Sequence, residues 1–481
     1  MKENLDARIN VKDISFINDI KSMAVIGPSK KRDYFFVKNH QENFQGNLYA
    51  IHPSIKSIPG FDDGTQGKIF SSIKDVPEKV DFVFIAVPPS QILSVISDCV
   101  EKEVKLASIF TAEFSDAGTK EGIELEKKLI ETTQDKLRIL GPNGMGLFYP
   151  KKGIAWRPRF PSTPGNLGFV AQSGGMCNIA IYKSSSLGIN FSKVFSYGNG
   201  ADLDVVDLLY FLSKDPETEI ILCYLEGIDK DRGQDLKILL ERIQKPVVFL
   251  KGGKTEKGSV AAKTHTASLT GKEQIWKTLL KQKNIISVDT LEQLLNTGKL
   301  IDYYGTFKLN KTAIFSISGG YGVILVDLLE KRGISVPSFS PNIQKQLKEH
   351  FFVLGTSSRN PLDVSAQIYY SEAMHKIIDI TLSDPKIDGL IMDLPSWYFS
   401  TDFQLRKDYT FEPNMIEALN LGHKHNKPLI PIIQRVNCPE DRARVYQKLT
   451  AKKVPVFGDP MEVIPLLSKI SNYAKRFSKE A

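Results

Sequence analysis

Short apolar, β-branched runs alternate with longer amphipathic stretches along most of the chain. That alternation predicts parallel strands joined by crossover helices. In the first region the predicted strands are Met23-Ala24-Val25-Ile26, Leu48-Tyr49-Ala50-Ile51, Phe82 to Val87, Ala107-Ser108-Ile109-Phe110 and Arg138-Ile139-Leu140. Helices are predicted to begin near Arg32, Pro89 and Thr119. This is the pattern of a Rossmann-like nucleotide-binding domain over 1–150. Pro150, Pro158, Pro161 and Pro164 then mark a connector with little periodicity. A second α/β domain is expected over 165–305 and a third over 310–475.

The second and third domains read as divergent copies. Gly168-Phe169-Val170-Ala171-Gln172-Ser173-Gly174-Gly175 parallels Ala313-Ile314-Phe315-Ser316-Ile317-Ser318-Gly319-Gly320. Asp215-Pro216 parallels Asp384-Pro385, and Lys245-Pro246-Val247-Val248 parallels Lys427-Pro428-Leu429-Ile430. Repeats this long are duplicated domains, since solenoid periods are shorter. After its Lys-Pro strand the third copy has no histidine. Any histidine chemistry therefore belongs to the second copy, and the third is expected to be structural or an interface.

Composition narrows the class. The 481 residues are 42% hydrophobic and 25% charged, enough for several cores. The formal charge of +8 is spread among acids, as in Glu124-Leu125-Glu126-Lys127-Lys128, so no nucleic-acid groove is expected. The four cysteines have no metal or disulfide spacing, and Cys99 and Cys223 read as core thiols. The first residues lack the apolar run of a signal peptide, and no apolar stretch is long enough to span a bilayer. A reducing cytoplasm is the expected setting. His423 and His425, two apart without a third ligand, do not suggest a metal, and no metal site is expected.

The segment Lys263 to Gly271 holds His265 among small and hydroxyl residues. It follows the strand Pro246 to Leu250 and the turn Lys251-Gly252-Gly253-Lys254. It is read as a polar loop beyond a strand's C-terminal end, where open α/β sheets place their ligands. Imidazole is nucleophilic near neutral pH and can carry a phosphoryl group. Glu226, ending an apolar strand, can hold one ring nitrogen and leave the other free. Gln172-Ser173-Gly174 opens a helix, whose amides and the serine hydroxyl suit an anion, although a plain Ser cap explains it equally.

Gly27-Pro28-Ser29 follows the first strand, and Lys30-Lys31-Arg32 follows it in turn. Without a full G-x-G-x-x-G, this turn argues against a dinucleotide oxidoreductase and suits a phosphate-rich anion. Val87-Pro88, Thr111, Glu113 and Asn143 also stand at strand C-terminal ends and can converge on one crevice.

With these residues in hand, the chain resembles the α subunit of NDP-forming acyl-CoA synthetases, the ADP-forming acetyl-CoA synthetase type related to succinyl-CoA synthetase α. The resemblance runs from about residue 20 to 470. It is carried by Gly141-Pro142-Asn143-Gly144, Gln172-Ser173-Gly174, Ser196-Tyr197-Gly198-Asn199, Asp215-Pro216-Glu217-Thr218, Leu225-Glu226-Gly227 and His265 to Gly271. Gly319-Gly320-Tyr321-Gly322 and Asn360-Pro361-Leu362-Asp363 extend it into the third copy.

The resemblance implies a Rossmann-like CoA-binding domain followed by two flavodoxin-like, succinyl-CoA synthetase-like domains. It implies that His265 is a phosphohistidine steadied by Glu226, with Gln172, Ser173 and Gly174 near the phosphate. It places Gly27, Pro28, Ser29, Val87, Pro88, Thr111 and Glu113 along the CoA cleft and Asn143 near the acyl end. The implied reaction converts acyl-CoA, phosphate and ADP to acid, CoA and ATP. Such a chain needs an ATP-grasp β subunit for ATP or ADP with magnesium, in a heterotetramer, because its own three α/β domains leave no room for that module. The competing expectation is a non-catalytic CoA- or acyl-CoA-binding protein.

Overall fold

A computed structural model of the chain describes residues 9–61, 67–266, 273–283, 285–365, 371–396, 411–435, 439–452 and 454–477. The chain divides into one compact unit of Met1–Ser185 with Ile189–Leu294 and a second of Ser186–Gly188 with Leu295–Ala481. Among the described residues there are three main sheets, two in the first unit and one in the second.

The first sheet comprises β1 (Ser22–Ile26), β2 (Asn47–Ile51), β3 (Gly67–Phe70), β4 (Phe82–Ile85), β5 (Leu106–Ile109) and β6 (Arg138–Leu140). All neighbours are parallel, in the order β3-β2-β1-β4-β5-β6. Helices α1 (Phe35–Asn43), α2 (Ile92–Glu101) and α3 (Lys120–Thr133) make the crossovers. The strands β1, β4 and β5 are buried along their whole length, which is why they read as continuous apolar runs. Thr119 caps α3 by accepting the Gly122 N–H at 3.1 Å. The order reverses between β1 and β4, and such a switch point opens a crevice at the strand C-terminal ends.

The second sheet holds β7 (Gly146–Phe148), β8 (Leu167–Ala171), β9 (Phe191–Ser196), β10 (Ile220–Leu225), β11 (Val247–Lys251) and β12 (Ile286–Val288). Its order is β12-β11-β10-β8-β9-β7. Strands β8 to β12 follow the flavodoxin-like order 2-1-3-4-5, with a switch point between β8 and β10. Strand β7 is antiparallel to β9, so the chain already joins the second sheet at Gly146. Helices α4 (Gly174–Leu187), α5 (Val205–Lys214), α6 (Gly233–Arg242), α7 (Glu256–Thr266) and α8 (Glu273–Gln282) complete this part, and α9 (Leu291–Tyr304) carries the chain on into the second unit.

The third sheet, β14-β13-β15-β16, is built from β13 (Thr312–Ser316), β14 (Leu362–Asp363), β15 (Gly389–Pro395) and β16 (Leu429–Gln434). It repeats the β9-β8-β10-β11 order of the second. Its helices are α10 (Gly319–Glu330), α11 (Pro341–His350), α12 (Ser371–Ser383), α13 (Phe411–Lys424), α14 (Pro439–Ala451) and α15 (Pro460–Phe477). One device recurs in both copies. The Lys245 ammonium donates to the carbonyls of Leu212 and Asp215, at 2.8 and 2.6 Å. Lys427 donates to those of Leu382 and Asp384, at 2.6 and 2.8 Å. Each lysine satisfies carbonyls at the C-terminal end of an earlier helix, α5 for Lys245 and α12 for Lys427, a place that favours cations.

Strand β9 is one that the hydrophobic pattern does not reveal. Its sequence Phe-Ser-Lys-Val-Phe-Ser carries a lysine, yet all six residues are buried. Fully buried Lys193 is paired with Asp215 at 2.8 Å and Glu217 at 2.7 Å, and lies 4.3 Å from the Tyr149 ring. Thr218 donates to Asp215 at 2.7 Å. The Asp215-Pro216-Glu217-Thr218 motif is therefore a cage for a buried ammonium. Burial alone would raise Glu217; hydrogen bonds from Lys151, Lys193 and Tyr149 outweigh it and hold the carboxyl down at about 2.

Among the described residues no helix is long and apolar enough to cross a membrane. Cys99 and Cys223 are fully buried, as expected of core thiols. His423 and His425 have separate partners, Tyr303 at 3.0 Å and Asp379 at 2.6 Å.

Candidate active site

The switch point of the first sheet opens into a cavity of about 910 Å³. Gly27, Pro28, Ser29, Val87, Pro88 and Thr111 line it, joined by Lys30, Lys31 and Arg32. Gly27 has φ +85°, and a Cβ there would lie 2.7 Å from both the Ala86 carbonyl oxygen and Val87 Cγ1. Only glycine fits both the backbone and the space. The Thr111 hydroxyl donates to the Val87 carbonyl at 2.6 Å and ties the ends of β5 and β4 together. The cavity thus combines a close backbone approach with three cationic side chains, a combination that fits a ligand rich in phosphate.

Glu113 and Asn143 do not line this cavity. Exposed Glu113 stands on the turn after β5 with φ 74°, its N–H donating to Asp116 at 3.2 Å. The Asn143 N–H donates to the Thr111 carbonyl at 2.9 Å. The turn Gly141-Pro142-Asn143-Gly144 packs on Tyr197-Gly198-Asn199. The Asn199 N–H donates to Pro142 O at 3.0 Å, and its side-chain amide donates to Asp116 and Glu126 at 3.0 and 2.8 Å. These two motifs join the first sheet to the second.

The second switch point gathers a polar cluster. Gln172 leaves β8, and its side-chain oxygen accepts the N–H groups of Glu226 and Gly227 at 2.6 and 3.0 Å. Glu226, buried just beyond β10, accepts the Tyr224 hydroxyl at 3.0 Å. Lys251 ends β11, and its ammonium donates to the Glu226 carbonyl at 2.6 Å and also to that of Gly252. Burial pushes Lys251 down to about 8, against the Glu226 carboxylate, which favours the charged form. Burial, followed by the Glu226 carboxylate, pushes the Tyr224 phenol up. Ser173 caps α4 by accepting the Met176 N–H at 3.3 Å, so the cap expected of this serine is present at the helix start where an anion would bind.

His265 requires a correction. Its backbone lies in α7, within two residues of the helix end, and not in a loop. The preceding turns, Glu-Lys-Gly-Ser-Val-Ala-Ala-Lys, contain enough helix-forming residues to carry the helix into the Thr-His-Thr segment. Thr255 starts it by accepting the Gly258 N–H at 3.1 Å. The side chain of His265 and residues 267–272 lie outside the described residues. Helix α7 follows the strand that ends at Lys251, and it packs against the turn Ser115–Ala117 beyond β5 of the first sheet.

Sequence reading missed Lys251 and Tyr224. Tyr224 sat within an apolar run, and Lys251 looked like one more turn lysine beside Lys254. The strand register shows the third copy without this cluster. Ala171, Tyr224 and Leu250 are matched by Ser316, Asp393 and Ile432. Gln172, Glu226 and Lys251 therefore correspond to Ile317, Pro395 and Ile433.

Comparison with known proteins agrees with this geometry. Residues 21–150 match the family model of a CoA binding domain, and 164–301 that of a succinyl-CoA ligase like flavodoxin domain. The α subunit of acetate–CoA ligase [ADP-forming] I of Pyrococcus furiosus is 32% identical over 464 residues, covering 95% of this chain and 96% of that protein. Acetate–CoA ligase [ADP-forming] I of Archaeoglobus fulgidus is 28% identical over 96% of this chain. The chain spans 64% of that relative's length. The solved dinucleotide forming acetyl-coenzyme A synthetase 1 of Ca. Korarchaeum cryptofilum, in complex with phosphate and ADP, superposes with a TM-score of 0.82 at 26% identity. That match covers 97% of this chain and 98% of the other.

Fold and site together define an α/β protein with a CoA-binding domain and succinyl-CoA ligase-like domains. The chain belongs to the NDP-forming acyl-CoA synthetases, among the α subunits of the ADP-forming acetyl-CoA synthetase type.

Proposed function

We propose that the chain is the acyl-CoA-handling subunit of an acid–thiol ligase that interconverts acyl-CoA, phosphate and ADP with acid, CoA and ATP. The observation that carries this reading is the path of α7. It leads from the strand end beside Glu226 to a turn on the sheet that holds the large cavity. In this proposal the group carried by this helix lies between the two switch points.

In this mechanism a phosphate oxygen attacks the thioester carbonyl, the C–S bond breaks, and CoA leaves as a thiolate that takes a proton. The acyl phosphate then passes its phosphoryl group to an imidazole nitrogen of His265, releasing the carboxylate. Transfer from His265 to ADP gives ATP. Gly27, Pro28, Ser29, Val87, Pro88 and Thr111 hold CoA, with Glu113 on the turn beyond β5 serving the same cleft from outside the cavity and Asn143 near the acyl end. The start of α4, with Gln172, Ser173 and Gly174, supplies oriented N–H groups for phosphate. Glu226 steadies the imidazole, as a fixed carboxylate does for a histidine nucleophile.

ADP, with magnesium, binds a separate ATP-grasp β subunit, and two copies of each chain form a heterotetramer. The α-subunit name and full-length match of the Pyrococcus furiosus relative support this division. The domains of this reading are 1–150, 165–305 and 310–475; the matched segments 21–150 and 164–301 and the repeated sheet order support the division. The third domain serves structure or interface, in keeping with the loss of the polar cluster. The work is cytoplasmic. A binder without turnover would have no use for Glu226 and Lys251 beside a phosphate-binding helix start.

The test is phosphoryl labelling of the chain with its ATP-grasp partner and radiolabelled ATP, comparing wild type with His265→Ala. An acid-labile, base-stable label lost in the variant supports the proposal. An unlabelled wild-type chain beside an ATP-competent partner overturns it.

A further inference from the structure

Three side chains from three strand ends hold Glu226. Its N–H donates to the Gln172 side-chain oxygen at 2.6 Å, its carbonyl accepts the Lys251 ammonium at 2.6 Å, and its Oε1 accepts the Tyr224 hydroxyl at 3.0 Å. Gln172 and Lys251 fix the main chain. Neither touches the carboxylate through these bonds, and the final torsion of a glutamate side chain is broad. The direction of the carboxylate plane therefore rests on the phenol.

Tyr224 is suited to that task. It stands two residues before Glu226 at the end of β10, a spacing that puts both side chains on one face of the sheet. Its ring is half-buried, so it has little freedom of its own. With the phenol pushed up by burial and by the Glu226 carboxylate, the hydroxyl keeps its proton and stays a donor.

Gly252 gives the pair its room. A Cβ at that position would lie 2.9 Å from the Tyr224 hydroxyl oxygen and 3.4 Å from Glu226 Cγ. The third copy shows the alternative. Its strand register matches Tyr224 with Asp393 and Gly252 with Gln434. There the side chain at the glycine's position donates to the one at the tyrosine's position, at 2.6 Å, and Pro395 stands where Glu226 would be. The glycine goes with the copy that carries the carboxylate.

We propose, resting on the ligase reading above, that Tyr224 is a positioning residue for phosphoryl transfer, which orients the Glu226 carboxylate toward the His265 imidazole from the space that Gly252 leaves open. Tyr224 acts through Glu226 and takes no part in the bonds made or broken. A carboxylate turned out of line no longer accepts the N–H of an imidazole, and the rate of a positioned nucleophile falls steeply with misplacement.

The chain with its ATP-grasp partner is followed by single-turnover phosphoryl labelling over a range of radiolabelled ATP concentrations. Tyr224→Phe keeps the ring and removes the hydroxyl. It is expected to lower the maximal labelling rate roughly tenfold or more, the scale of one hydrogen bond to a charged group. The half-saturating ATP concentration and the final labelled fraction stay as in wild type. Gly252→Ala keeps the hydroxyl but displaces it, and the maximal rate falls in the same direction. A wild-type rate in Tyr224→Phe overturns the role of the phenol, and a wild-type rate in Gly252→Ala overturns the room assigned to the glycine. A loss seen only as a smaller labelled fraction with a lower urea midpoint marks a structural residue and also overturns the role. Each of these leaves the ligase reading intact. A wild-type chain that takes no label beside an ATP-competent partner overturns the ligase reading itself and the role with it.

Discussion

The side-chain oxygen of Gln172 accepts the backbone N–H groups of both Glu226 and Gly227, at 2.6 and 3.0 Å. One side chain thereby ties the end of β8 to the end of β10 across a topological switch point. It fixes the main chain from which the Glu226 carboxylate projects, and it does so from the residue that precedes the cap of α4. The carboxylate and the helix start are held in register by a single amide.

Gln172→Leu tests this tie. Two buried N–H groups lose their acceptor, at ~1–3 kcal/mol for each group left unsatisfied. A misplacement of the order of an ångström at Glu226 costs about a hundredfold in transfer rate. We expect a lower urea midpoint together with a slowed appearance of phosphoryl label on the chain. Unchanged labelling kinetics would show that the tie has no part in the chemistry.

Lys193→Met leaves Asp215 and Glu217 facing an apolar side chain. Removing one partner of a buried ion pair costs roughly 3–5 kcal/mol, because the remaining charge stays desolvated. Equilibrium unfolding should register a loss of that size. A loss below about 1 kcal/mol, the range of surface pairs, would contradict the cage described for β9.

Lys251 makes stability depend on pH in a definite sense. Its folded-state pKa is depressed to about 8 from an ordinary 10.5. Between those values the unfolded chain binds more protons than the folded one, so stability rises with pH. The penalty for burying the charged ammonium is fully present below pH 8 and is relieved as the pH climbs toward 10.5. The stability of wild type relative to Lys251→Met should therefore increase over that interval, with a slope of up to ~1.4 kcal/mol per pH unit. Parallel urea titrations at pH 7.5 and 9.5, values chosen to lie on either side of the folded-state titration, measure the difference. A difference independent of pH would place the titration elsewhere.

Gly27→Ala puts a methyl group 2.7 Å from the Ala86 carbonyl oxygen and Val87 Cγ1, on a backbone with φ +85°. The conformational penalty alone is ~1–2 kcal/mol, which corresponds to about tenfold in an equilibrium constant. CoA affinity measured by calorimetry should weaken by at least that factor. Binding at wild-type strength would remove this turn from the CoA cleft.

Much of this architecture can be read from local pattern. The alternation of apolar runs and amphipathic stretches marks the parallel sheets, because strands buried on both faces must be continuously apolar. The repeated Lys-Pro and Asp-Pro pairs mark the duplication, and the shared order of the second and third sheets bears it out. Gly27-Pro28-Ser29 and Val87-Pro88 are visible as strand-end turns, and six of the seven residues expected along the CoA cleft line one cavity. Short β3 and lysine-bearing β9 escape the same reading, since their burial depends on partners distant in sequence.

The sequence by itself determined the periodicities, the turns and the residue types at the strand ends, since these follow from backbone geometry and nearest neighbours. Only the tertiary structure decided which charged groups are buried and which turns meet. Lys193 is a core residue because Asp215, Glu217 and Tyr149 surround it. Lys251 joins the polar cluster at the second switch point because β10 brings the Glu226 carbonyl to its ammonium. Tyr224 reaches the Glu226 carboxylate in space that Gly252, just beyond β11, leaves open. Such convergence is a matter of strand order and register, which no local stretch of sequence encodes.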